Sequence, residues 1–346
     1  MKTIDLRSDT VTLPTPSMRK AMAEAEVGDD VYGEDPTINR LQAMSAERLG
    51  KEAGLFVASG TMGNLVAVLA HCNRGDEVIM GDKAHTFLFE GGGVSALGGI
   101  SMHTLPNQVD GTLALDAIQG AVRAKGNPHF PLSRLVILEN THNRCGGVPI
   151  TLEYEQQVSK IARQNELAMH LDGARLFNAS AALGISAAEL SEPFDSVTFC
   201  LSKGLCAPVG SVVCGSKEFI QKALRVRKQV GGGMRQAGIL AAAGIVAIQE
   251  MTERLSEDHV RALALANGLQ QIKGLQLYLQ PPIMTNMVFI ALDEDIPYNA
   301  SQVFERLGEY GIKVGIAGPR HFRLVTHYWI TDEDIDQTIK AFSKVL

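Results

Sequence analysis

The sequence of 346 residues is short of several things, and each shortage removes a class of protein. Cysteine is scarce: five residues, an odd number with no Cys-x-x-Cys pair, which argues against a disulfide framework and for free thiols in a reducing compartment. No apolar run approaches the ~18 residues of a membrane span. The opening MKTIDLRSDT alternates charges at Lys2, Asp5, Arg7 and Asp9, so no signal-peptide core forms there. Positive charge is not in excess, with Lys+Arg 32 against Asp+Glu 38 and a net charge of −6. A general nucleic-acid binder needs clustered cations to neutralise phosphates, so that class is disfavoured. GxxxxGK(S/T), GxSxG and HExxH do not occur. His142 stands near Cys145, but no second pair lies at ligand spacing, so no metal site is expected. What remains is a chain 45% hydrophobic and 20% charged, able to bury a large core. The expectation is a cytoplasmic globular protein without membrane or nucleic-acid partners.

Short β-branched runs alternate with helical patterns. Strands are predicted at Gly54–Ala58, Glu77–Met80, Ile100–Leu105, Leu135–Glu139, Ala168–Leu171, Val197–Leu201 and Ser211–Cys214, with helices between several of them, such as Leu65–His71 and Leu152–Asn165. That order implies βαβ crossovers and a mostly parallel, buried sheet. Asp35 before Pro36 caps a further helix that stops at Gly50. After residue 255 the texture changes to two long helices with a break near Ser256, apolar runs at Leu275–Leu279, Met287–Leu292 and Phe322–Thr326, and a last helix opening at Thr331 with Asp334 three residues on. Two domains are predicted: 1–255, a large α/β unit with the amino-terminal segment, and 256–346, a smaller α+β unit.

Three segments carry chemistry, each after a predicted strand, where open α/β sheets place their ligands. Ser202-Lys203-Gly204 offers an amine that can become a Schiff-base nucleophile if its environment depresses its pKa. Alone, it also reads as a solvated loop lysine. His170-Leu171-Asp172-Gly173-Ala174-Arg175 puts a carboxylate at a strand end, either a turn residue or the partner of a protonated pyridine nitrogen. Ser59-Gly60-Thr61-Met62-Gly63-Asn64 is a small-residue turn into a helix, either a plain cap or a phosphate cup. His85 is a candidate cover for a cofactor ring. Gly91–Ala96 fits a nucleotide pattern, but the residues before it read as helix, which weakens a competing nicotinamide reading. A third reading is a non-catalytic binding module; retention of Lys203, Asp172 and Arg323 together disfavours it.

Leu6–Thr12 (LRSDTVT), Val27–Pro36 (VGDDVYGEDP), Glu139–Asn143 (ENTHN), HLDGAR, CLSKGL, Gly231–Gly238 (GGGMRQAG) and Arg323–His327 (RLVTH) together resemble the threonine aldolases, over essentially the whole chain. The resemblance departs at Arg144-Cys145-Gly146, where the family often shows Gly-Lys, and at Cys206, often glycine. It implies the aspartate-aminotransferase fold (fold type I, PLP-dependent transferase-like) and a pyridoxal 5'-phosphate lyase. Such a lyase cleaves L-threonine, L-allo-threonine and related β-hydroxy-α-amino acids reversibly to glycine and an aldehyde, acetaldehyde from threonine. On this resemblance Lys203 carries the cofactor as a Schiff base and Asp172 partners the pyridine nitrogen. Gly60, Thr61 and Ser202 contact phosphate and cofactor, and His85 stacks on the ring and faces the β-hydroxyl. Ser8, Arg175 and Arg323 hold the substrate carboxylate or the cofactor's O3′ side. The base is His85 or a water it orients; His129 either shares the hydroxyl or is a loop residue. Lys228 and Arg235 reach a neighbouring subunit's phosphate, in a homodimer at minimum and a homotetramer as the fuller assembly; the run Arg225, Arg227, Lys228 and Arg235 equally reads as a solvated helix face.

Overall fold

The computed structural model describes residues 2–346. Its larger sheet is built from β2 (Ala53–Val57), β3 (Asp76–Gly81), β4 (Ser101–Leu105), β5 (Leu132–Glu139), β6 (Ala168–Asp172), β7 (Ser196–Cys200) and β8 (Ser211–Gly215), in the order β2-β8-β7-β6-β5-β3-β4. β4, β3, β5, β6 and β7 run parallel, and β8 is antiparallel to both its neighbours. Every residue of Ser196–Cys200 and Ser211–Gly215 is buried, the small polar Ser196, Thr198 and Ser211 included, since a sheet covered on both faces has no solvent side. The seven strands predicted before residue 255 are all present, with ends shifted by a few residues.

The second sheet has the order β1-β11-β12-β10-β9, with β1 (Ile4–Leu6), β9 (Leu275–Leu279), β10 (Met287–Leu292), β11 (Ile312–Gly318) and β12 (His321–Val325). The amino-terminal strand, grouped with the larger unit from sequence, pairs in parallel with β11 at the far end of the chain. Ile4 and Leu6 bury in the smaller core with Val314, Phe322 and Leu324, and that apolar contact is what draws the strand across. The helix Leu255–Gln270 bridges the two units. Leu255 enters the larger core, while Ala262, Leu265, Ala266 and Leu269, at helical spacing, enter the smaller. The break expected near Ser256 falls slightly earlier, after the π-helical turn Ala247–Met251. The closing helix Asp332–Val345 starts on the capping box of Thr331 and Asp334. All five cysteines are free and buried. Among the described residues, no helix is long and apolar enough to cross a membrane.

Candidate active site

The carboxyl ends of β5, β6 and β7 form one edge of the larger sheet. Register places Glu139 beside Asp172, the last residues of β5 and β6, and Asp172 beside Thr198, two residues before the end of β7. Asp172 is buried, and its oxygens accept from Asn64 Nδ2 at 2.8 Å and from the Ala174 amide at 3.2 Å. Lys203 follows β7 in a tight turn closed by Cys206 N donating to Lys203 O at 2.9 Å. Cys206 holds φ +64°, the left-handed region a side chain resists, which supplies a physical reason for glycine at this position in the resembling family. Thr12 Oγ1 lies 2.9 Å from Lys203 O and 2.8 Å from Asp9 O, its single proton shared between the two carbonyls, so the LRSDTVT segment is tied to the lysine turn.

Asp9, which the sequence reading did not assign, is the anchor of that segment. It is fully buried and takes Arg175 Nε at 2.7 Å and Nη2 at 2.6 Å, with Asn286 Nδ2 at 3.3 Å. Burial alone pushes such a carboxyl up; here the charge and hydrogen bonds of Arg175, with the nearby charge of Lys203, outweigh it and hold Asp9 below the usual range. Arg175 is therefore a clamped cation with Nη1 left over. Ser8 caps the turn Asp9–Val11, its Oγ accepting from the Thr10 amide at 3.2 Å.

Arg323 projects from β12 of the other sheet. Nη1 donates to Asn143 Oδ1 at 2.9 Å and Nη2 to Arg7 O at 3.2 Å. Burial and then the charges of Arg175 and Arg144 push its pKa down, so the guanidinium sits in surplus positive potential with no carboxylate bonded to it. With His85, Phe89, Asn143, Arg144, Phe289 and Ile316 it lines a cleft of about 370 Å³ between the sheets. Such surplus positive potential beside a histidine suits an anion.

His85 opens the short helix His85–Leu88, and its amide donates to Glu139 Oε2 at 2.7 Å. Nδ1 lies 2.9 Å from Glu90 Oε1. That hydrogen bond, opposed by burial and helped by the charge of Asp172, raises the His85 pKa. Burial, with the charge of Asp172, likewise pushes Glu90 up. Glu139 also accepts the Asn143 amide at 2.9 Å through Oε1, and so joins the histidine to the residue that holds Arg323. The ENTHN motif carried that signal; Asn64 and Glu90 had none beyond their nearness in sequence to Gly60 and His85.

At the start of the helix Gly60–His71, Ser59 accepts the Met62 amide at 3.1 Å, and the first amides, Gly60 and Thr61, have no helical partner. A Cβ at Gly60 would lie 2.9 Å from Cys200 Sγ, so only glycine lets the helix start this close to the end of β7. Ser202 is half-buried next to Lys203. The cationic run is not one face: Arg227 is buried, bonding Phe56 O at 2.8 Å and Asp30 Oδ2 at 2.5 Å, while Arg235 pairs with Asp29 at 2.6 Å and Lys228 is exposed. The aspartates of VGDDVYGEDP thus hold two of the arginines. His129 lies in an exposed turn ahead of β5, the opposite strand end from Glu139, roughly 23 Å away along the strand. Its own chain does not bring it to this edge. Gly91–Ala96 follows a helix and not a strand, which removes the structural setting of the nicotinamide reading.

Comparison with known proteins gives the family and the fold. Residues 5–295 match the family model of the beta-eliminating lyases. A probable low-specificity L-threonine aldolase of Arabidopsis thaliana is 48% identical over 100% of this chain and 98% of its own length. Among solved structures, a threonine aldolase of Leishmania major superposes with a TM-score of 0.83 at 19% identity, covering 99% of this chain and 100% of that one. An SPT solved with PLP gives a TM-score of 0.79 at 19% identity, over 99% of this chain and 87% of that one. These likenesses bear out fold type I. The chain belongs to the beta-eliminating lyase family, among the relatives of the low-specificity L-threonine aldolases.

Proposed function

We propose that this chain is a pyridoxal-phosphate-dependent aldehyde-lyase. On this reading it cleaves L-threonine, L-allo-threonine and related β-hydroxy-α-amino acids, reversibly, to glycine and an aldehyde, acetaldehyde from threonine. The observation that carries the reading is one convergence: Lys203, Asp172 and the His85–Glu90 pair at a single sheet edge, faced by an Arg323 with no carboxylate partner.

The residues fit the cofactor. A helix start with two unpartnered amides and a glycine cradle suits a phosphate. A buried carboxylate suits a pyridinium, and a lysine follows the neighbouring strand in a tight turn of its own. Bound there, pyridoxal phosphate supplies a carbonyl that condenses with amines and a protonated ring that draws electrons from a breaking carbon–carbon bond.

Gly60, Thr61 and Ser202 hold the phosphate side, and Asp172 holds the proton on the ring nitrogen. Lys203 supplies the amine that anchors the cofactor and yields its place to substrate. Arg323, with Ser8, grips the substrate carboxylate; Arg175, fixed by Asp9, turns Nη1 to that carboxylate or to the ring oxygen. His85 takes the β-hydroxyl proton at Nε2, directly or through a water it orients. Glu90, at Nδ1, stabilises the imidazolium that forms. Lys228 and Arg235 complete a neighbouring subunit's phosphate site in a homodimer, paired into a homotetramer. The chain divides into 1–255 and 256–346, with β1 crossing to the second unit, and works in the cytoplasm. Borohydride reduction of the holoenzyme followed by peptide mapping tests the assignment. The pyridoxyl label is expected on Lys203, and a label on any other lysine contradicts it.

A further inference from the structure

Asn64 lies one turn into the helix Gly60–His71 and is 1% exposed. Its Nδ2 lies 2.8 Å from Asp172 Oδ2 and 2.8 Å from Glu90 Oε1. An amide nitrogen has two protons, and both are spent on carboxylate oxygens. Behind it, Asn64 Oδ1 lies 3.2 Å from His170 Nε2, and His170 Nδ1 lies 2.8 Å from Ser196 Oγ. Ser196 Oγ is in turn 2.8 Å from Nε2 of His71, which stacks on Phe219 at 4.5 Å.

The direction of every bond in this chain is fixed by its neighbours. Asn64 Oδ1 can only accept, so His170 carries its proton on Nε2. His170 Nδ1 is then a lone pair, so Ser196 must donate to it. Ser196 Oγ, its proton committed, accepts from His71 Nε2–H. His170 and Ser196 are fully buried, so water offers no alternative partner. Burial pushes His170 down to about 3 and His71 to about 4, which leaves each ring neutral with the single proton the chain requires. The charged and titratable groups facing the chain are Asp172, Glu90 and His85, with Lys203 beyond, at the Asn64 end, and Asp195 and Lys222 at the His71 end.

We propose that Asn64 is a positioning residue that divides its two N–H groups between the carboxylate serving the cofactor ring and the carboxylate serving His85, and that His71, Ser196 and His170 lock its amide in that orientation. Flipped, the amide would turn its oxygen on two buried carboxylates and leave His170 Nε2–H facing an N–H donor. Asn64 thereby ties the electron-accepting side of the site to its proton-accepting side. The proposal rests on the reading of Asp172 as the ring-nitrogen partner.

The test uses the holoenzyme and two readouts besides turnover: the cofactor dissociation constant, and the pH midpoint of the bound cofactor's visible absorbance. Asn64→Leu keeps the volume and removes both donors; cofactor affinity is expected to fall about tenfold and the midpoint to move by about half a unit. Ser196→Ala leaves both donors but cuts the lock, and a smaller shift in the same direction is expected. Wild-type affinity and midpoint in Asn64→Leu overturn the proposal. If that variant does not fold, an unmoved midpoint in Ser196→Ala overturns it instead. Asp172→Asn separates the two levels. A wild-type spectrum there removes the ring-nitrogen reading and this inference with it; a changed spectrum, with Asn64→Leu and Ser196→Ala both silent, removes only the role of Asn64.

Discussion

A base that must take a hydroxyl proton near neutral pH is stronger if its conjugate acid is stabilised, and that is what Glu90 does for His85. The hydrogen bond at Nδ1 is the largest influence on His85 and raises its pKa above 6.5. In the proposed mechanism the working form is the neutral ring, so activity is expected to rise as pH passes that raised value and to fall away below it. Glu90→Gln removes the charged acceptor. The acid limb of kcat/KM is then expected to move to lower pH, with the plateau reduced by about tenfold or more. A pH profile with the acid limb unmoved would remove Glu90 from the proton path. At this scale the sequence was informative where a residue stood in a distinctive run: Asp172 ends β6, Lys203 follows β7, and Arg323 is the one charged side chain within the apolar β12. Asp9 and Asn64 were illegible for a shared reason. Their partners, Arg175 and Asp172, lie 166 and 108 residues away, and no local pattern encodes such a pairing.

Among the elements, the helix Gly60–His71 is seated tightly on the larger sheet. A Cβ at Gly63 would come 2.6 Å from Thr198 Cγ2, on the strand that leads to Lys203. Gly63→Val is expected to cost about 1–3 kcal/mol by overpacking. It should also weaken cofactor binding, because the helix start that forms the phosphate cup must lift from β7. Thermal unfolding and cofactor titration check both, and wild-type values in each would show that the helix seat is not tight. Strands β2 to β8 were legible as short apolar or β-branched runs between helical patterns. β1 and β11 were not: β1 has three residues and no period to read, and glycines at Gly315 and Gly318 interrupt the alternation of β11. Their pairing is a long-range contact that only the folded cores of the smaller unit select.

For the whole molecule, two sheets meet across a cleft, and the cations at Lys228 and Arg235 lie outside it on an exposed segment. Asp29 holds Arg235, and a Cβ on Gly232 would strike Met62 of the Gly60 helix, so this segment borders the first turn of the helix proposed to hold the phosphate. A second subunit's copy is the natural occupant of the gap in the proposed assembly. Lys203→Ala and Arg235→Ala, each inactive alone, are expected to regain a fraction of wild-type activity when dissociated, mixed and reassembled, because a mixed dimer has one intact site. No gain over the sum of the parts would place Arg235 within its own subunit's site.

The central claim is that this edge of the sheet, loaded with pyridoxal phosphate, breaks the Cα–Cβ bond of β-hydroxy-α-amino acids. Its most direct measurement is the initial rate of acetaldehyde and glycine release from L-threonine and from L-allo-threonine, by the holoenzyme and by Lys203→Ala. A small apolar pocket discriminates weakly between similar substituents, by about 1–3 kcal/mol, so both diastereomers are expected to be cleaved with equimolar products. Lys203→Ala is expected to abolish turnover on both. Failure of the wild-type holoenzyme to release acetaldehyde from either substrate, or release undiminished in Lys203→Ala, would contradict the account.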